Sequence, residues 1–151
     1  MLKNNPKEKF ILMLQIIERT KKEKTSYGKL LFQENAISHS IIATLKTIAL
    51  CLNTDNLSLN LNFNLDIFED RVPTLGGLAN ILFPYLESYP DIKKEIKEYI
   101  KLRNDLTHNM FLNYNDISKI DLDSEKVVKS GQTTLTLLGK LRDKIRNDYS
   151  I

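Results

Sequence analysis

Apolar residues recur at three- and four-residue steps through most of this chain, and a chain patterned in that way must bury one face of each of several helices. Between residues 6 and 24 the positions Phe10, Met13, Leu14, Ile16 and Ile17 form one such face, and Pro6 suits the first turn. A loop at Ser26, Tyr27 and Gly28 is expected next. The stripe Ile37, Ile41, Leu45, Ile48, Leu52 then marks a second helix from about Gln33 to Asn53, apolar nearly all round and therefore central. Thr74 is placed to cap a third helix beginning at Leu75, which Pro84 should kink or end before a turn at Ser88, Tyr89 and Pro90. Asp91 is expected to cap a fourth helix running to about Leu112. After a loop at Asn113, Asn115 and Asp116, Asp123 or Ser124 opens a fifth, carrying Val127, Val128, Gly131, Leu135, Leu138, Leu141, Ile145 and Tyr149.

One stretch departs from this period. From Leu57 to Leu65 apolar and polar residues alternate strictly, the pattern of a strand with one covered face, yet no second strand is evident to pair with it. The expectation is an extended arm that lies across the helices or pairs with its copy in another subunit. The fold class is thus all-α, a compact bundle of four to five helices with one extended or short β-like insertion near residues 57–65. With 151 residues the chain has the usual size of one domain, expected to span 1–151.

Composition narrows the function classes. At 42% hydrophobic and 27% charged residues the chain lies far from the disordered corner, and a net charge of +3 permits a polyanionic partner without requiring one. Lys3, Lys7 and Lys9 precede an apolar stretch, but Gln15 interrupts it and a small-residue cleavage site is missing, so no signal peptide is expected. No run of eighteen apolar residues occurs, which argues against a membrane span and for a cytoplasmic protein. The single cysteine, Cys51, lies in an apolar run and reads as a buried thiol. Two histidines and one cysteine, far apart, give no metal site, and no cofactor is expected. His39 falls opposite the apolar stripe of its helix and reads as solvated. Gly76 and Gly77 lack the GxGxxG or GxxxxGK context of a phosphate loop, so close helix packing is the expected reason for them.

The readable chemistry is confined to the fourth helix. At about 100° per residue Ile96, Tyr99, Ile100, Leu106 and Met110 gather on one side, and Arg103 falls roughly 20° from Ile92 in the middle of that stripe. A permanent charge does not belong there without a partner. Asn104 and His108, four residues apart, share a face at its border. The plainest account makes Arg103 half of a structural ion pair with an acid of a neighbouring helix, and His108 a helix-end residue near carbonyls. Lys93, Lys94, Lys97 and Lys101, interleaved with Glu95 and Glu98, read as a solvated face able to touch a phosphate backbone.

The string Arg103, Asn104, Asp105, Leu106, Thr107, His108 resembles the RxxxxH signature of HEPN-domain proteins, including the polar second position. The resemblance extends over about residues 33–150, with a long helix after the signature. It implies a helical bundle that acts as a homodimer and cleaves RNA without a metal, as in toxin–antitoxin or phage-defence systems, where an antitoxin or other regulatory protein can be a partner. By that likeness Arg103, Asn104 and His108 are the catalytic candidates. A histidine can take the 2′-hydroxyl proton near neutral pH, a guanidinium suits the charge growing on the phosphoryl oxygens, and Asn104 can orient the one or donate to the other. The sequence departs from one branch of the family, whose motif runs directly to a modified tyrosine; here Asn109, Met110 and Phe111 follow, and Tyr114 stands too far along. The motif is also similar to the RNxxxH stretch of helical regulators related to the mannitol repressor, as is Thr74 to Leu78, and that likeness implies a non-catalytic regulator or interaction module instead.

Overall fold

The computed structural model of the protein describes residues 6–22, 26–54 and 74–149. Among these residues five helices of eight or more residues form the bundle: α1 (Pro6–Lys22), α2 (Ser26–Thr54), α3 (Leu75–Leu82), α4 (Pro90–His108) and α6 (Ile117–Tyr149). A 3-10 turn, Phe83–Leu86, follows α3, and a single turn, α5 (Met110–Asn113), separates α4 from α6. No strand occurs among the described residues, and the alternating segment 57–65 lies outside them.

The two longest helices, α2 and α6, form the central pair, with α4 laid against α6 and α3 against α2. Ile37, Ile41 and Leu45 of α2 are fully buried, as are Leu78 and Leu82 of α3, Ile96 and Tyr99 of α4, and Leu138 of α6. Each such aliphatic side chain contributes about 1.5–3 kcal/mol by leaving water. The α2–α6 seam is more polar than this core. Buried Ser40, Thr44 and Thr47 occupy α2 there, and Gln33 donates to the Val128 carbonyl at 2.7 Å across it. Arg142 of α6 donates from one Nη to the Ser40 carbonyl (3.0 Å), the Ser40 hydroxyl (2.6 Å) and the Thr44 hydroxyl (3.2 Å). Gly131 belongs to the same seam: a Cβ there would run into the Gln33 amide.

Several local expectations are corrected. Helix α2 starts at Ser26, so the expected loop at Ser26, Tyr27 and Gly28 is its first turn. Helix α6 starts at Ile117 rather than near Asp123, because Asp116 accepts from the Ser118 amide at 2.8 Å and turns the chain there; Ser124 is fully buried. Tyr89, not Asp91, precedes α4, with Pro90 and Asp91 in the first turn. On α1 Leu12 is sunk in the core, while Phe10, Ile11 and Leu14 stand about half exposed; α1 touches α5 and α6. Gly76 is not a close-packing glycine, because a Cβ there meets nothing within 4 Å. Thr74 does cap α3, accepting from the Gly77 amide at 3.2 Å, and Pro84 does end it. His39 is exposed and Cys51 buried, as their patterns indicate. Among the described residues no helix is long and apolar enough to cross a membrane.

Candidate active site at the end of the fourth helix

Helix α4 is locally well specified. Proline at its first position presets the backbone, Asp91 meets the positive end of the dipole, and Ile96, Tyr99 and Leu106 bury the inward stripe. It stops at His108 because Asn109 leaves helical geometry (φ −106°, ψ 10°), and the chain re-forms one turn as α5. The motif therefore occupies the last turns of a helix whose inner face is anchored and whose outer face is open.

Arg103 comes out of the stripe half-buried and paired. Its Nε donates to Glu34 of α2 at 3.1 Å, one Nη to the other carboxylate oxygen at 2.5 Å, and the second Nη to the Asn104 amide oxygen at 2.8 Å. The Arg103 and Glu34 side chains retain 22% and 24% exposure, so the pair is sheltered without being sealed. A guanidinium has five N–H groups; these bonds use three and leave one on each Nη for a further acceptor. Thr107 donates its hydroxyl to the Arg103 carbonyl at 2.8 Å and so closes the turn beneath the pair.

Tyr99, one turn earlier on the same face, is fully buried and its hydroxyl has no hydrogen-bond partner. Burial above all pushes its pKa up to about 12, with the Glu34 carboxylate adding to the rise and the Arg103 guanidinium opposing it. The phenol is therefore a neutral wall of the site. On the far side of the α4–α5 break Tyr114 donates to Asp123 at 2.5 Å, while Lys9 of α1 donates to the Tyr114 carbonyl at 2.7 Å. Burial and the hydrogen bond to Asp123 raise the Tyr114 pKa. These contacts fix the backbone just beyond His108.

The structure thus joins two of the three motif residues and leaves the third apart. Asn104 turns to Arg103, whereas His108 is exposed on the last turn and no hydrogen bond joins it to either. The residue that sequence reasoning passed over is Glu34. One signal was available, since Glu34 is the sole acid in the 29 residues of α2. An open groove of about 400 Å³ runs along α4 just before the motif, lined by Lys94, Lys97, Glu98, Lys101, Leu102 and Asp105. A second groove, of about 640 Å³, lies along α6 by Lys29, Lys129 and Lys140. Among the described residues no three of His, Cys, Asp and Glu converge as metal ligands would.

No family model, no curated protein and no solved structure matches the chain.

Proposed function

We propose that this chain is a metal-independent endoribonuclease of toxin or phage-defence type, active as a homodimer, with Arg103, Asn104 and His108 from both copies in a composite cleft. The observation that carries this reading is the state of Arg103: fixed in orientation by Glu34 and Asn104, yet with an N–H free on each Nη and a fifth of its side chain in solvent. A guanidinium so held loses little freedom when a phosphate arrives, which is the condition for stabilising charge that develops in a transition state. The exposed His108 imidazole takes the proton from a ribose 2′-hydroxyl as its oxygen bonds to phosphorus. The phosphorus–O5′ bond then breaks, and the leaving oxygen takes a proton from the imidazolium of His108 on a second copy. The products are a 2′,3′-cyclic phosphate and a 5′-hydroxyl. Phe32, on α2 just before Glu34 and 81% exposed, is the kind of side chain that contact with a second copy would cover.

Incubation of single-stranded RNA with the protein in excess chelator tests the reading. Cleavage to cyclic-phosphate ends is expected, falling on the order of 10²- to 10⁴-fold in His108→Ala, whose exposed side chain supports no packing. Cutting by His108→Ala at the rate of the unaltered protein would rule the assignment out.

One observation favours a second reading, a non-catalytic helical regulator or interaction module. The bidentate Glu34–Arg103 pair lies within one chain and accounts for the guanidinium as a strut between α2 and α4. In that reading Arg103→Ala lowers stability while RNA stays intact with the unaltered protein, so melting and cleavage measured on the same variants separate the two.

A further inference from the structure

On α4, at about 100° per residue, Lys94, Lys97, Lys101, Asn104 and His108 fall within an arc of roughly 80°, a single stripe along the outer face. All three lysines are exposed, and no carboxylate of the described residues lies within ion-pair distance of any of them. Their neighbour Lys93 differs on both counts: it is half-buried and sits 3.9 Å from Glu87. Lys97 also rests its ammonium 5.4 Å above the Phe83 ring, which holds it beside the groove. From Lys94 to His108 the stripe is about 21 Å long at 1.5 Å per residue, and its first half, from Lys94 to Lys101, carries one ammonium per turn. That interval is of the order of the step between successive phosphates on an extended strand.

From this we infer that the outer face of α4 is a track for the phosphates of a single RNA strand, held by Lys94, Lys97 and Lys101 on its way to His108; the inference rests on the ribonuclease reading for its destination only. The groove's composition selects the partner. Of its six lining residues five are charged and only Leu102 is apolar. Protein interfaces bury aromatic and aliphatic side chains and exclude lysine from their centres, whereas a phosphate backbone needs only placed positive charge.

The test uses single-stranded RNA methylated at every 2′-oxygen, which lacks the nucleophile and cannot be cut whatever the enzyme does. Fluorescence anisotropy at a series of salt concentrations compares the unaltered protein, the triple variant Lys94→Gln, Lys97→Gln, Lys101→Gln, and a control with Lys29, Lys129 and Lys140 changed to Gln. Loss of three phosphate contacts lowers the slope of log affinity against log salt by roughly two. Binding at low salt is expected to weaken at least tenfold in the triple variant alone, with circular dichroism unchanged. Equal affinity and slope in the triple variant, loss in the control instead, or absence of RNA binding altogether each overturns the track. So does binding to vesicles of anionic lipid that depends on these lysines without RNA binding. Cleavable RNA run beside it keeps the two readings apart: lysine-dependent binding without cleavage upholds the track and removes the nuclease, and cleavage with lysine-independent binding does the reverse.

Discussion

Two half-buried arginines hold this bundle together in opposite ways. Arg103 meets a carboxylate edge-on, so its charge is compensated on one side only and its geometry is fixed by two parallel bonds. Arg142 meets only neutral oxygens, a carbonyl and two hydroxyls, and burial lowers its pKa, with Arg146 adding to the fall and Asp143 opposing it. The first is a pair in which each member depends on the other. The second is a cation that its neighbours solvate but do not neutralise, and two of its three acceptors keep another partner if it leaves: the Thr44 hydroxyl already donates to the Ser40 carbonyl at 2.8 Å.

That contrast can be broken by measurement. Urea denaturation followed by circular dichroism should show Arg103→Met or Glu34→Leu alone losing roughly 2 kcal/mol, because one half-buried charge is then stranded. The double variant should recover roughly 1 kcal/mol of the summed loss. Additive losses would mean that the pair is not coupled. Arg142→Met should cost only about 1 kcal/mol, since no opposite charge is left behind and the desolvation of the cation is relieved. A loss as large as that of Arg103→Met would erase the distinction.

The smallest effect is a titration. Tyr99 has a pKa raised to about 12 from 10, so the folded chain binds its proton more tightly than the unfolded chain. Its contribution to stability is complete below pH 10 and is lost as pH rises from 10 to about 12. Carbon NMR of labelled tyrosine should show the Tyr99 pKa climbing further in Arg103→Met, where the opposing cation is gone, and holding still in Arg142→Met. Movement of the same size in both variants would show that the Arg103 charge is not what Tyr99 senses.

Helix positions were legible in the sequence because each helix carries its own apolar period, as Ile37, Ile41 and Leu45 or Val127, Leu138 and Leu141 show by their burial. Arg103 was legible as an anomaly for the same reason: a charge in an apolar stripe demands a partner. The partner's identity was not, since Glu34 lies 69 residues away and no local pattern links a helix face to a particular neighbour. Helix starts at Ser26 and Ile117 were missed because Ser26 and Asp116 each sit among turn-forming residues that read as loops, and the capping type at Ser124 pointed to a site that tertiary packing buries. Phe10 and Leu14 were assigned to a covered face by period alone, and period does not say whether another helix arrives to cover it.

The seam between α2 and α6 joins residues far apart in the chain, Gln33 to Val128 across 95 positions and Arg142 to Ser40 across 102. During synthesis α2 leaves the ribosome long before its main packing partner exists, and its apolar stripe has to wait uncovered while the rest is made. Closing so long a loop costs chain entropy before the seam's contacts repay it, which slows folding relative to a bundle of sequence neighbours.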